Sequence, residues 1–393
     1  MNKSALFKKS LVTATIILGA LYAGAWRAEA SPYVQTDLVS DIPGLATITD
    51  PELVNPWGVA FSATSPFWTS NQGTSTATLY AVTGNTSVTK TIINPPSGFV
   101  AIPTTASGPQ GPTGSVNNVN TTSFLVGNGG NGAFAHFIFA NLNGTISAWD
   151  TGTTAFIQAT TPGASYTGLA VNQAQTQLYA ANNAGTGSIN VFNSSFAPVS
   201  LGAGAFATPT AISALGLVPF NVQDINGSVY VTYAPAGRTA QQAATAGMGA
   251  IAIFTESGIL QNTLIGSDLA APWGVALAPA GFGPFGGDLL VGNFSYVDSE
   301  INAFDPVSGA FEGVIPIDVG PGNTPGGLWS LHFGIGGSNG SPDTLYFADG
   351  INGETDGLFG AISAVPEPSA LILLGTGLAF LGLCRAVRAL SAG

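Results

Sequence analysis

A glycine that leads into a short apolar strand recurs along this chain at a nearly constant interval. The clearest copies lie at 56–61, 166–171 and 272–277, where the chain reads PWGVAF, YTGLAV and PWGVAL. Weaker copies fill the gaps, so that six anchor positions stand 53 to 56 residues apart. A period of this length indicates a repeat protein, in which each unit buries its apolar face against the next. The anchors are Gly58, Gly114, Gly168, Asn221, Gly274 and Gly327.

Each unit continues with further short apolar runs, separated by turns rich in Gly, Asn and Ser. In the first two units the second strand is predicted at 78–81 and at 123–126, and a third, alternating strand follows, as at 144–150. Alternation with a period of two between turn residues is the signature of β-strands. The 53 glycines among 393 residues supply the turns that many short strands need. Four strands per unit, six times over, predict an all-β fold: a six-bladed β-propeller with four-stranded blades.

The repeat places the propeller at 55–364 and leaves 31–54 as an N-terminal segment. The sixth unit lacks a clear fourth strand, whereas 33–39 has the pattern of an additional one. We therefore expect 31–54 to close the ring by supplying that strand, which hides the sheet edge that a linear array would expose. The blades are expected near 55–110, 111–164, 165–217, 218–270, 271–324 and 325–364.

Residues 1–30 have the three parts of a secretory signal peptide. Three lysines near the N-terminus precede an apolar stretch at 11–25, and Ala28 and Ala30 flank Glu29 in a small-x-small cleavage site. The pattern predicts that the chain is exported and that the mature protein begins at Ser31. The alternative is an uncleaved membrane anchor, for which the apolar stretch is short.

A second tripartite segment occupies 365–393. Val365-Pro366-Glu367-Pro368 precedes an uncharged apolar run at 369–384, and Arg385 and Arg388 follow that run. As a helix, a run of this length would reach about 24 Å, a little less than a bilayer core, and Arg385 can extend to the headgroups. We therefore predict a transmembrane helix over 369–384 whose basic end lies in the cytoplasm.

This order of a Pro-Glu-Pro triplet at 366–368, an apolar helix and a basic end resembles the PEP-CTERM sorting signal of Gram-negative bacteria. The resemblance implies that exosortase, a transpeptidase-like membrane enzyme, recognises the tail and cleaves near the triplet. It also implies an inner-membrane-anchored precursor and delivery of the processed body to the cell surface or extracellular matrix. The alternative is a plain C-terminal membrane anchor.

The body of the chain resembles propellers of the NHL and YVTN types. It is more closely similar to an uncharacterised family of bacterial propellers that often carry PEP-CTERM tails. The segments at 55–58, 271–274 and 349–353 carry this resemblance. The resemblance implies a fold and a destination, but it supplies no chemistry.

The charge of the body excludes several classes of partner. Lys90 and Arg238 are the only basic residues between Ser31 and Ala364, against 18 acidic ones in the same stretch. Two cations cannot line a groove for a phosphate backbone, so nucleic acid is not expected as a partner. The acidic excess favours divalent cations and repels anionic polymers unless a cation bridges them.

The sequence contains no HExxH, P-loop or CxxC motif. His136 and His332 belong to the second and sixth units, where ordinary structural roles are favoured over a paired site. Packing is likewise the favoured role of Trp57, Trp273 and Trp329. The sequence therefore supplies no catalytic residue to name.

Acidic and amide side chains after a strand of the sixth unit are candidate ligands for Ca²⁺, which takes oxygen ligands on Gly-rich loops. Turn-forming hydrogen bonds are the alternative role for these side chains. No cofactor is required by any motif, and calcium is the one suggested. The candidates are Asp349, Asn352, Glu354 and Asp356.

Taken together, the sequence predicts an exported propeller that binds or scaffolds without catalysis at the cell surface or in the extracellular matrix. Extracellular polysaccharide and matrix protein are the candidate partners besides exosortase. The alternative is a metal-dependent hydrolase or lactonase with its site at the mouth of the propeller channel, where Asn55 and Asn221 are candidate ligands.

Overall fold

The computed structural model describes residues 31–93, 96–105, 110–266 and 268–365. The predicted signal peptide, the Pro-Glu-Pro triplet and the predicted helix at 369–384 lie outside the described residues. Within the described part, no helix is both long enough and apolar enough to span a bilayer.

The described strands form six sheets, and their innermost strands contact one another in a closed ring. The fold is therefore a six-bladed β-propeller, as predicted. The chain enters through β1 (Tyr33–Ser40) and β2 (Ile48–Thr49). Blade one contains β3 (Pro56–Ala60), β4 (Phe67–Asn71), β5 (Thr76–Thr83) and β6 (Ser87–Lys90), with β7 (Phe99–Ala101) also paired to β5.

Blades two to five each contain four antiparallel strands in chain order. Blade two has β8 (Pro112–Asn117), β9 (Phe137–Asn141), β10 (Thr145–Trp149) and β11 (Phe156–Thr160). Blade three has β12 (Tyr166–Val171), β13 (Gln177–Asn182), β14 (Ser188–Asn193) and β15 (Pro198–Val199). Blade four has β16 (Leu217–Ile225), β17 (Ser228–Pro235), β18 (Ala250–Thr255) and β19 (Leu260–Leu264). Blade five has β20 (Pro272–Leu277), β21 (Leu289–Asn293), β22 (Glu300–Phe304) and β23 (Phe311–Pro316).

Blade six combines both ends of the propeller. It contains β24 (Leu328–Phe333), β25 (Thr344–Asp349) and β26 (Leu358–Ala364), and β1 pairs antiparallel with β26 from Tyr33↔Ala364 to Ser40↔Leu358. The segment 33–39 thus lies in the fourth strand of blade six, and β2 adds a short parallel pair outside it. Short helical segments lie in the connections: α1 (Thr210–Ser213), α2 (Arg238–Gln242), a 3₁₀ turn (Ala280–Phe282) and α3 (Ile351–Glu354).

The repeated glycine is explained by how closely the inner strands approach one another at the axis. A Cβ on Gly58 would overlap the backbone of β8, one on Gly114 would overlap β12, and one on Gly274 would overlap the carbonyl of Trp329. The inner strand of blade four has Asn221 at this position, and its side chain donates a hydrogen bond of 2.9 Å to the Trp273 carbonyl.

In blade six the anchor position is Ser330, not Gly327 as the sequence ladder predicted. Ser330 Oγ accepts a bond of 3.0 Å from the Val59 amide of blade one, which joins the last inner strand to the first. Gly327 instead has a positive φ of 93° and packs against Gly350 ahead of β24. The prediction was wrong by three residues because a glycine pair before the strand imitated the motif.

Two of the predicted second strands were also misassigned. In blade one the second strand is β4, and 78–81 belongs to β5, the third strand. In blade two the second strand is β9, whereas 123–126 lies in the preceding connection and forms a single bridge, Leu125↔Phe134. The strand β4 was missed because it contains polar residues. Thr69 and Asn71 are buried, and their side chains form hydrogen bonds with Thr78 on β5.

The blades give the channel two distinct ends. We call the face on which the inner strands begin the upper face, and the face on which they end the lower face. The loops between second and third strands reach the upper face, because those strands run antiparallel to the inner ones. These loops include α2 in blade four and α3 in blade six.

Replacing Gly274 by Ala should destabilise the ring, because the added Cβ overlaps the Trp329 carbonyl. We expect a loss of at least about 2 kcal/mol, seen as a lower urea midpoint for unfolding. Gly127→Ala is the matched control, because no atom lies within 4 Å of a Cβ built there. Equal midpoints for the two variants would contradict this account of the glycine ladder.

Candidate functional site

Aromatic side chains fill the middle of the channel. The Trp57 and Trp329 rings are stacked with centroids 3.6 Å apart, and Trp273 meets both rings edge-on. Trp273 Nε1 donates to the Thr167 carbonyl at 2.8 Å, and Trp329 Nε1 donates to Asn55 Oδ1 at 2.9 Å. We call Trp57, Phe220, Trp273 and Trp329 the aromatic plug. The tryptophans thus pack against one another, and a cavity lies on each side of the plug.

The lower cavity, of about 320 Å³, is lined by the ends of the inner strands. His332 lies on its wall against Phe61, and burial lowers the pKa of this histidine to about 4, so the ring is neutral at pH 7. Burial raises the pKa of Asp224, whose carboxylate accepts hydrogen bonds from the Gln173 side chain and the Gly227 amide. The lining of the lower cavity therefore includes polar groups but no cationic side chain at pH 7.

His136 lies elsewhere, immediately before β9. Its ring packs against Phe134 and Trp149, with centroids 4.6 and 5.9 Å away. The two histidines therefore contact different neighbours.

The upper cavity is larger, about 590 Å³, and the loops of five blades contribute to it. Its floor includes Trp57 of the aromatic plug, and amides and hydroxyls line its walls. The polar side chains on its wall are Gln72, Ser165, Thr167, Asn183, Arg238, Gln241 and Glu354.

Arg238 crosses the upper face from α2 of blade four to Glu354 of blade six. Arg238 Nε donates to Glu354 Oε2 at 3.1 Å, and Nη2 contacts Oε1, so the pair is bidentate. The side chains are 32% and 14% exposed, respectively. Burial lowers the pKa of Arg238 to about 9, which leaves the guanidinium a cation at neutral pH.

Aromatic rings surround the same guanidinium. Its Cζ lies 4.2 Å from the Phe294 ring centroid, 4.9 Å from that of Trp329 and 5.0 Å from that of Trp57. These distances are within the range of cation–π attraction. Arg238 therefore contacts side chains of blades one, five and six from a loop of blade four.

A short stretch of left-handed backbone presents Glu354 to the arginine. Asn352 has a φ of 56° and Glu354 a φ of 70°. The Asn352 side chain holds this turn, since its Oδ1 accepts from the Thr324 amide at 2.8 Å and its Nδ2 donates to Asp356 Oδ2 at 2.9 Å. The carboxylate is thus positioned by its own loop.

The four predicted calcium ligands have different surroundings. Asn352 and Asp356 are hydrogen-bonded to each other, Glu354 is paired with Arg238, and Asp349 is fully buried. Within the described residues, no three His, Cys, Asp or Glu side chains form a group suited to a metal ion. The calcium site stays a prediction.

The other basic residue of the body is also paired. Lys90 Nζ lies 2.8 Å from the carboxylate of Asp50, and the buried Tyr80 hydroxyl donates to Asp50 Oδ2 at 2.6 Å. Each cation of the body therefore has a carboxylate partner.

The Arg238–Glu354 pair was not predicted from the sequence. The one sequence feature that could have pointed to it is the scarcity of basic residues, which draws attention to Arg238 but does not indicate a role for it.

Asp349 ends β25 at a position where other blades have asparagine. It pairs with the first residue of the inner strand, as do Asn71, Asn141, Asn182 and Asn293. Both oxygens of its carboxyl are buried without a hydrogen-bond partner in the described part of the chain. Burial raises the pKa of Asp349 well above its usual value, so folding favours the protonated acid.

Asp349→Asn should therefore become more stable, relative to the wild type, as the pH rises. Below about pH 4 the Asp349 carboxyl is protonated in both the folded and the unfolded wild type, so its raised pKa does not reduce stability there. As the pH rises from there towards the folded-state pKa, the wild type loses up to about 1.4 kcal/mol of folding free energy per pH unit. Urea midpoints at pH 4, 6 and 8 measure the difference. Glu312→Gln, at an exposed carboxyl, is the control. Parallel pH profiles for wild type and Asp349→Asn would contradict the prediction.

Comparison with known proteins adds a sorting motif to this architecture. Residues 364–386 match the PEP-CTERM protein-sorting motif, which implies processing by exosortase. A streptogramin B lyase structure aligns with 85% of this chain and 98% of its own, at 11% identity and a TM-score of 0.49. Fold and motif together define a six-bladed propeller with a C-terminal sorting signal.

One curated relative covers most of the chain. It is the uncharacterized protein R648 of Acanthamoeba polyphaga mimivirus, 30% identical over 346 residues, or 83% of this chain and 78% of that protein. The chain belongs to the family of that protein.

Proposed function

We propose that this chain is an exported, exosortase-sorted surface protein whose propeller binds a ligand in the upper cavity without catalysis. The observation that carries the destination is the sorting motif at 364–386. Its first residue is Ala364, the last residue of β26, and Val365 beyond it is already 44% exposed. Cleavage near Pro366-Glu367-Pro368 would therefore leave the propeller complete.

The chemistry of the upper cavity supports binding over catalysis. Its charged residues, Arg238 and Glu354, neutralise each other. The other polar side chains on its wall are amides and hydroxyls, which hold and orient a ligand but are weak acids and bases. Extracellular polysaccharide and matrix protein are the partners that we propose; nucleic acid is disfavoured by the acidic body.

The sorting proposal predicts that the triplet controls processing. In a host that encodes exosortase, the full chain should yield a body that lacks 369–393, found at the surface or in the medium. Replacing Pro366-Glu367-Pro368 by three alanines should leave uncleaved precursor in the membrane fraction, as should deletion of exosortase. Mass spectrometry of the body's C-terminus and fractionation are the measurements.

Val307→Ala is the control variant, because this side chain is 85% exposed on the propeller surface. It should be processed as the wild type is. A triplet variant that is cleaved at the same residue and reaches the same fraction would overturn the sorting proposal.

A metal-dependent hydrolase or lactonase is the alternative, and one contact favours it. The Asp41 and Asp356 carboxyls interact, and burial together with the charge of Asp356 raises the pKa of Asp41 to about 6. Two adjacent carboxyls beside Asn352 could share a cation as readily as a proton.

Calcium should then raise the melting temperature of the EDTA-dialysed protein, and Asp356→Asn should abolish the rise. Glu312→Gln, which removes an exposed carboxyl, should keep it. A folded protein without bound metal, whose melting temperature is unaffected by calcium, would end the alternative.

A further inference from the structure

We propose that the upper cavity binds a neutral saccharide unit; this inference rests on the proposed binding function and names its ligand class. The cavity is concave, contains one internally neutralised ion pair and presents hydrogen-bonding groups beside an aromatic floor. Each of these features bears on the class of ligand.

The charge of the cavity selects against ions. An anion at the unpaired Nη1 of Arg238 would lie beside the Glu354 carboxylate, which already neutralises the guanidinium and would repel a second negative charge. A cation would meet the same neutral pair, with the guanidinium as a repelling charge. A neutral ligand leaves the pair intact.

The unused hydrogen-bonding groups suit hydroxyls. Arg238 Nη1, Gln241 Oε1 and Ser165 Oγ, all on residues that line the cavity, have no hydrogen-bond partner within the described residues. They supply a charged donor, an acceptor and a group that can do both. A sugar hydroxyl likewise donates and accepts, so a polyhydroxylated ligand can satisfy all three groups.

These groups are already held in place. Gln241 Nε2 donates to Asn183 Oδ1 at 3.0 Å and to the Pro235 carbonyl at 3.1 Å, which fixes the amide. Asn183 Nδ2 in turn donates to the Pro219 carbonyl at 2.8 Å. Because the polar wall is ordered without a ligand, binding loses little side-chain entropy.

The volume fits the same class of ligand. Trp57 closes the cavity below: its ring is only 2% exposed, stacks on Trp329 and lies 5.0 Å from Arg238 Cζ. A volume of about 590 Å³ lies within the usual range for small-ligand sites and exceeds that of one hexose.

Saturation-transfer NMR on the purified mature protein, with maltose, cellobiose and N,N′-diacetylchitobiose as neutral probes and glucuronic acid as the anionic one, tests the proposal. We expect transfer to at least one neutral disaccharide and a weaker response from glucuronic acid. Ser165→Ala should weaken the binding about five- to tenfold through loss of one hydrogen bond. Ser115→Ala, in the lower cavity, is the matched control and should leave binding unchanged.

Gln241→Glu is a second variant. It removes the Nε2 donor that fixes this side chain to Asn183 Oδ1 and the Pro235 carbonyl, so it should weaken binding by disturbing the polar wall. A thermal melt checks that the propeller is still folded. No transfer to any neutral probe overturns the proposal, as does equal weakening by Ser165→Ala and Ser115→Ala. If glucuronic acid binds more tightly than the neutral disaccharides, the proposed ligand class is wrong, although the proposed binding function is not. Failure of the sorting experiment would instead overturn the destination, so the two proposals fail separately.

Discussion

The structure depends on the close approach of six inner strands around one axis. Neighbouring strands come so near that Gly58, Gly114 and Gly274 leave no room for a Cβ. The Asn221 and Ser330 side chains instead bond the neighbouring strand. This constraint explains the period of the sequence, and it brings the large side chains of the preceding position together as the aromatic plug. Two cavities follow directly, because the plug fills the channel between them.

Arg238 ties the upper face together. A loop of blade four carries its guanidinium to Glu354 of blade six and onto rings from blades one and five. A half-buried ion pair of this kind contributes little net free energy of folding, because desolvation offsets much of the attraction. The pair has a specific structural effect, because removal of the Glu354 carboxylate would leave the Arg238 guanidinium unpaired among aromatic rings. The pair therefore fixes the relative positions of loops that come from distant parts of the sequence.

The fold class was predictable because its signal is repeated. The same apolar strand recurs six times at a fixed interval, so each copy supports the prediction made from the others. The predicted number of blades was therefore correct even though the sixth anchor was placed at Gly327, three residues too early. Individual strands were harder to predict where burial is achieved by hydrogen bonds. The Thr69 and Asn71 side chains of β4 are polar yet fully buried through hydrogen bonds, and hydrophobic alternation does not detect such a strand. The sorting motif was predicted correctly, since its triplet and apolar run are contiguous; the transmembrane helix at 369–384 stays a prediction.

The upper cavity could not be predicted in the same way. Arg238 and Glu354 are 116 residues apart and lie in irregular loops, so no spacing connects them. The candidate set from 349 to 356 was chosen for proximity in sequence, but the left-handed backbone at Asn352 and Glu354 turns these neighbours towards different partners. A site made by loops of five blades requires the ring to be assembled first.

The pairing of Tyr33 with Ala364 has a consequence for orientation. The antiparallel register puts the first residue of β1 and the last residue of β26 side by side at the lower face. The Arg238 cavity opens at the opposite face. A tether attached through either terminus would therefore hold the propeller at its lower face and leave the cavity on the face away from the attachment point.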